Sequence, residues 1–169
     1  MPKNWVEFSL DLMRSASAWL LFLLLCGCTE KGRVAAGITK LDSPSKLILY
    51  SLDPRPLQHD ESIQSETVFH GYDILGRADI PDADERRALV RALARGARES
   101  DGSIGACFNP RHGLHVEQSG RSVDFVICFE CLQVHAHGFQ LGDGFLTSAS
   151  PQATFDDSLR RHQVALAPK

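Results

Sequence analysis

Residues 114–129, LHVEQSGRSVDFVICF, decide the fold. Apolar and polar side chains alternate on both sides of Ser119 and Gly120, which is the pattern of two half-buried strands joined by a tight turn. If these two residues form the loop, the register places His115 directly opposite Asp124. A longer loop would shift that register. We therefore expect an antiparallel hairpin at the centre of the domain.

Four further segments carry signals of regular structure. Lys46–Leu52 is predicted to be a strand that ends at the proline-rich residues 53–56, and Thr67–Ile80 is predicted to be a second extended segment. The apolar positions of Asp82–Glu99 and of Pro151–His162 repeat with the helical period. Together they indicate an α+β domain. We expect a small, mainly antiparallel sheet with one long helix and a C-terminal helix on one face.

Three finer expectations concern the ends of these elements. Asp82 followed by Glu85 predicts a capping box at the start of the long helix. The second strand of the hairpin is expected to continue as far as Gly138. Residues 105–110 are expected to form a short extended segment.

An apolar run near the N-terminus indicates processing. Residues 19–28, WLLFLLLCGC, are fewer than the about 20 apolar residues that span a bilayer, but they match the apolar region of a signal peptide. Leu25–Cys28 resembles the lipobox of bacterial lipoproteins, whose leader is removed before a cysteine that then carries lipid. We expect a signal peptide at residues 1–27, lipidation of Cys28 and a tether over residues 28–45. The alternative is a buried helix or a lone membrane anchor.

The lipid and the overall charge define the expected partners. Residues 46–169 would form a single domain, held at the membrane by lipid on Cys28. Thr29, directly after that cysteine, resembles the pattern of lipoproteins sorted to the periplasmic face of the outer membrane in diderm bacteria. The net charge of −3 argues against nucleic-acid binding. We expect a membrane partner, an envelope protein partner and no nucleic acid.

Three cysteines follow the predicted leader, and His112, which lies between the first two of them in sequence, is also able to bind a metal. The first interpretation is a structural disulfide from Cys107 to Cys128 or Cys131, which an oxidising compartment permits. The second is a zinc site of Cys107, His112, Cys128 and Cys131, whose spacing suits tetrahedral coordination. The third is a reactive thiol, as in a redox enzyme. The first interpretation involves no cofactor.

Strand geometry limits a bond between Cys128 and Cys131. On a regular strand, residues three apart are about 10 Å apart along the chain, whereas a disulfide requires Cα atoms within about 7 Å. Either the strand breaks at Phe129 and Glu130, or these two cysteines do not bond to each other.

Charged and histidine side chains near these cysteines have two interpretations each. Arg111 and His112 either bind an anion or tune a thiol, or Arg111 bridges Glu130 or a backbone carbonyl and fixes the loop. His135 and His137 share one strand face, where they either bind a metal or lie at a solvated strand end.

The sequence motifs around the cysteines resemble those of an uncharacterised group of bacterial proteins, many of them predicted lipoproteins. The shared motifs are Cys-Phe-x-Pro-Arg-His at residues 107–112 and Ile-Cys-Phe-x-Cys at residues 127–131, together with residues 49–54 and 69–72. The resemblance covers most of the chain after the leader and implies no particular activity. We therefore expect a lipid-anchored envelope protein with a non-catalytic interaction or structural role. A zinc-binding protein is the alternative, and a thiol redox enzyme is the third hypothesis.

Overall fold

The computed structural model describes residues 30–56, 66–138 and 142–168. In chain order its elements are α1 (Glu30–Thr39), β1 (Lys46–Pro56), β2 (Val68–Phe69), β3 (Tyr72–Asp79), α2 (Ala83–Glu99), β4 (His112–Gln118), β5 (Arg121–Cys128), β6 (Gln133–Gly138), β7 (Gly144–Leu146) and α3 (Gln152–Arg161). The strands form one antiparallel sheet in the order β2-β3-β1-β4-β5-β6-β7. The predicted α+β class is confirmed, but with seven strands the sheet is larger than predicted.

The helices cover one face of this sheet and bury its main core. Alternate residues of the central strands, among them Leu49, Leu114 and Phe125, meet apolar side chains of all three helices in one cluster. Phe155 of α3 is fully buried there. Placement of the helices on one face, as expected, leaves the opposite face of the sheet uncovered by helix in the described ranges.

The central hairpin has the predicted register. Ser119 and Gly120 form its turn with positive φ values of 54° and 74°, as a two-residue hairpin loop requires. His115 lies opposite Asp124. The alternation of apolar and polar side chains therefore fixes which residues share a face.

The long helix begins as predicted, but its third residue has a different partner. The Asp82 side chain accepts a hydrogen bond from the Glu85 amide at 2.7 Å, which caps the helix. The Glu85 carboxylate accepts hydrogen bonds from Ser158, Arg161 and His162. Glu85 therefore links α2 to the C-terminal helix α3.

The prediction of a tether over residues 28–45 is wrong for its described part. Glu30–Thr39 forms helix α1, and Ala35 and Ile38 on one side of it are buried in the main core. The helix depends on that packing, because its own periodicity is weak. The predicted signal peptide and Cys28 lie outside the described residues. Among those that are described, no helix has both the length and the apolar character needed to cross a membrane.

Two predicted strands are interrupted by turns. Strand β5 ends at Cys128 rather than continuing to Gly138, because the chain turns over residues 129–132 and returns as β6. The segment 67–80 is likewise split into β2 and β3 by a turn. At the other boundaries, β1 runs through Pro56 and pairs there with Tyr72, and residues 105–110 are irregular instead of extended.

Candidate functional site

The sheet face opposite the three helices gathers histidines around one aspartate. We call this surface the histidine face, and it consists of His70, His115, Asp124, His135 and His137. His115, Asp124 and His137 follow one another across β4, β5 and β6, because the antiparallel register places them side by side. His70 reaches the same place from the turn between β2 and β3.

Asp124 is the centre of a hydrogen-bonded network on this face. Its Oδ1 lies 2.6 Å from Nδ1 of His115, and its Oδ2 lies 2.7 Å from Nε2 of His70. Each carboxylate oxygen therefore has its own imidazole partner. The side chains of His70, His115 and Asp124 are between 14% and 24% exposed, so the network is shielded from water without being sealed off.

His115 has an acidic partner at each ring nitrogen. Its Nε2 lies 3.0 Å from Oε1 of Glu117, while its Nδ1 faces Asp124. A neutral imidazole donates from one nitrogen only, so both contacts are favourable only when the ring is protonated. The hydrogen bond to Asp124 accordingly raises the pKa of His115, although burial opposes this.

The same contacts lower the pKa of the central carboxylate. Burial of Asp124 disfavours its charged form, but the hydrogen bonds from His115 and His70 outweigh this effect and lower its pKa to about 2. Glu117, which also accepts a hydrogen bond from Lys46 at 3.1 Å, has a lowered pKa because of His115. Lys46, Glu117, protonated His115 and Asp124 thus form a chain of alternating positive and negative charges.

Stacked rings hold the remaining histidines in place. The rings of His70 and His137 lie parallel with centroids 3.9 Å apart, and those of Phe108 and His135 lie parallel at 4.0 Å. Apolar and aromatic side chains beside them form a second, smaller core, which we call the aromatic cluster: Tyr50, Leu52, Phe69, Tyr72, Ile74, Phe108 and Val126.

Local sequence explains how His70 reaches this site. His70 and Gly71 have positive φ values of 47° and 84° and form a two-residue hairpin turn between Phe69 and Tyr72. The Phe69 ring then lies over Gly113, where an added Cβ would come within 2.8 Å of the ring. Because Gly113 has no side chain, the β2–β3 hairpin can pack its Phe69 ring against the sheet at this position.

Arg111 and His112 lie in a cleft on the other side of the sheet. The cleft has a volume of about 420 Å³ and also includes Glu130 and Asp156. Arg111 contacts Glu130 and donates from Nε to the Pro168 carbonyl at 2.9 Å. These are the contacts of the loop-fixing interpretation.

His112 is a core side chain that faces a carboxylate. It is buried between the rings of Phe129 and Phe155, and its Nε2 lies 2.9 Å from the Asp156 carboxylate. Three of the four predicted zinc ligands therefore have other partners, because Cys128 and Cys131 are bonded to each other. Over residues 30–56, 66–138 and 142–168, no group of three or more histidine, cysteine, aspartate or glutamate side chains is arranged to hold a metal.

The disulfide connects a different pair of cysteines from the predicted one. Cys128 and Cys131 are bonded with Cα atoms 5.2 Å apart, and Cys107 is exposed and free. The predicted pairing of Cys107 with either of them is not present. The strand breaks after Cys128, as such a bond requires, and Leu132 with φ of 60° completes the turn.

Sequence reasoning found part of this site. It paired His115 with Asp124 and placed His135 and His137 on one strand face, but it missed His70 as the second partner of Asp124. The dipeptide His70-Gly71 signals a turn, yet nothing in it indicates which strand the turn approaches. Comparison with protein-family models, with curated proteins and with solved structures gives no match for this chain.

Proposed function

We propose that this chain is a lipid-anchored cell-envelope protein that binds another envelope protein through its histidine face, without a catalytic role. The proposed anchor is lipid on Cys28, in the segment that resembles a lipobox. The observation that carries the binding role is the composition of the uncovered sheet face. It combines the histidine network with the adjoining aromatic cluster.

The chemistry of this face matches that of protein interfaces. Such interfaces have aromatic side chains at the centre and a polar, solvated rim, and a few aromatic residues contribute most of the affinity. Tyr50, Tyr72 and Phe108 are half-buried here, and charged side chains such as Lys46 and Arg77 lie around them. The expected partner surface therefore presents an apolar side chain to the rings and hydrogen-bonding groups to the network.

Rigidity of the face favours binding. His115, Asp124 and His137 lie on three adjacent strands, and their rings and carboxylate are held by hydrogen bonds and stacking. Side chains that are already ordered lose little conformational entropy when a partner arrives. The partner would meet a preformed surface.

The anchor is tested by metabolic labelling with a fatty acid that carries a click handle. The full chain should become labelled and sediment with membranes. The Cys28→Ser variant should lose the label and leave the membrane fraction, while a Cys26→Ser variant should keep both. Equal labelling of all three proteins would contradict the anchor.

The binding face is tested by photo-crosslinking in cells. An aromatic photo-crosslinker at Phe108 replaces a ring with a ring on the proposed surface, and the same group at Arg91 of α2 is the control, because that side chain is exposed on the helical side. We expect a discrete cross-linked protein from position 108 and none from position 91. The cross-link should weaken in Asp124→Ala. No cross-link, or equal cross-links from both positions, would rule out this face.

A further inference from the structure

We infer that the three described cysteines form a thiol–disulfide exchange site, in which Cys107 attacks the Cys128–Cys131 disulfide at Cys131 and releases Cys128. This goes beyond the proposed binding role and does not depend on it. The inference rests on how the segment carrying Cys107 is held over the disulfide.

Both flanks of Cys107 are attached to Cys131. On one side, the Gly105 amide donates to the Cys131 carbonyl at 2.8 Å, and an added Cβ on Gly105 would come within 2.9 Å of the Cys131 Cα. On the other side, the Asn109 amide donates to the Cys131 Sγ at 3.3 Å. The Cys107 thiol is thus carried on a short segment whose two ends touch the residue that it would attack.

Asn109 connects the two sulfur atoms. Its backbone N–H faces Cys131 Sγ, and its side-chain amide donates to Cys107 Sγ at 3.6 Å. The thiolate is the nucleophile in disulfide exchange, and the Asn109 side-chain amide lies where it can donate to the Cys107 sulfur. Asn109 therefore contacts both the attacking sulfur of Cys107 and the sulfur of Cys131 that is attacked.

Differences in exposure favour an internal attack over an external one. Cys128 and Cys131 are 1% and 4% exposed, whereas Cys107 is exposed to solvent. A thiol from solution therefore has little direct access to either sulfur. Cys107 lies between Gly105 and Asn109, which both already contact Cys131.

The leaving sulfur also has a donor in place. The Cys131 amide donates to Cys128 Sγ at 3.1 Å, so charge that develops on Cys128 is stabilised as it leaves. The Cys107–Cys131 bond forms, the Cys128–Cys131 bond breaks, and the proton lost by Cys107 is taken up by Cys128. One disulfide and one thiol are present before and after the step, so no oxidant or reductant is consumed.

The test maps the free thiol in the full chain, extracted in detergent without added redox reagents. Samples incubated at several pH values are quenched with acid, alkylated in denaturant and digested, and the alkylated cysteine is identified by mass spectrometry. We expect alkylation to be divided between Cys107 and Cys128, with the approach to equilibrium faster at higher pH because the thiolate attacks. Alkylation confined to Cys107 at every pH would overturn the inference.

Two variants identify the attacking and attacked sulfurs. In Cys107→Ser, alkylation of Cys128 should fall to background and the Cys128–Cys131 bond should persist. In Cys128→Ser, the leaving group is absent and two thiols remain, so oxidised glutathione is added to this variant; it is reduced as the Cys107–Cys131 disulfide forms. Persistent alkylation of Cys128 in Cys107→Ser, or free Cys107 and Cys131 thiols in folded Cys128→Ser after this oxidation, would contradict the mechanism. If Cys128→Ser does not fold, the wild-type map and Cys107→Ser still decide the outcome.

Discussion

The two faces of the sheet are built from neighbouring residues of the same strands, yet they are held together differently. Phe125 points into the main core beneath three helices, and Asp124, the residue before it, binds two histidines on the opposite face. The covered face depends on apolar area and close packing. The histidine face depends on charge, hydrogen bonds and stacked rings. We therefore expect the largest losses of stability from substitutions on the first face, and smaller losses together with changes in pH response and binding from substitutions on the second.

Removing one ring from each face should produce the largest contrast. Phe155 of α3 is fully buried against the covered face, whereas Phe108 is half-buried on the outer side. Phe155→Ala should lower the free energy of unfolding by about 3–5 kcal/mol, since it leaves a cavity among packed rings. Phe108→Ala should cost about 1 kcal/mol, because less apolar area is lost. Urea unfolding measures both, and equal losses would contradict the distinction between the faces.

The contact of Phe69 with Gly113 offers a way to disturb the outer face alone. A methyl group at position 113 would lie within 2.8 Å of the Phe69 ring, so Gly113→Ala should displace that ring at a cost of about 1–3 kcal/mol. In a Phe69→Leu background the smaller side chain should leave room for the methyl group, and the cost should fall. A double-mutant cycle by urea unfolding measures this coupling. Additive effects would mean that the ring does not rest on the glycine.

Asp124 tests the network itself. Asp124→Asn keeps the shape but removes the charge that both imidazoles face, and it should cost about 1–3 kcal/mol at neutral pH. Glu85→Gln is the matched control, because Glu85 also has a pKa lowered to about 2 but lies between two helices. Both variants should destabilise, and only Asp124→Asn should weaken the cross-link from position 108. Weakening by both would indicate a general loss of structure.

Features that depend on interactions between residues close in sequence were predicted correctly, whereas those that depend on contacts between distant residues were missed. Strand alternation together with an assumed Ser119-Gly120 loop was enough to pair His115 with Asp124, and local capping was enough to start α2 at the right place. The contact between His70 and Asp124 joins residues 54 positions apart and depends on which strands become neighbours. Helix α1 was missed for a similar reason, since Ala35 and Ile38 are stabilised by a core that a local pattern does not display.

The disulfide shows where a sound geometric rule was incomplete. The spacing argument correctly required the strand to break if Cys128 bonds to Cys131, but sequence did not reveal whether it breaks. The turn that follows includes Leu132, a residue in the left-handed region that composition does not indicate. Assigning a free thiol to Cys107 thus depended on the end of a neighbouring strand.

The smallest expected effect is a loss of stability that begins as pH rises above about 6.5 and comes from His115 on the histidine face. Because the folded-state pKa of His115 is raised, its contribution is fully present below its unfolded pKa of about 6.5 and is lost as pH rises through the folded value. Asp124 behaves in the opposite way, since its contribution is present above an unfolded pKa of about 3.9 and is lost as pH falls toward 2.

The free energy of unfolding, measured with urea at a series of pH values, separates the contributions of His115 and Asp124. His115→Gln should remove the decline above pH of about 6.5, with a change of about 1 kcal/mol. It should also reduce the part of the decline at low pH that comes from Asp124, which loses the His115 hydrogen bond, while the part that comes from Glu85 remains. His135→Gln is the control, because the His135 ring lies on the same face but stacks on Phe108. Among the contacts of the described residues, it does not lie between two carboxylates as His115 does. A decline above pH of about 6.5 that persists in His115→Gln would mean that the imidazolium held by Asp124 and Glu117 does not stabilise the fold. The histidine face would then be a surface for contact only, without a pH response of its own.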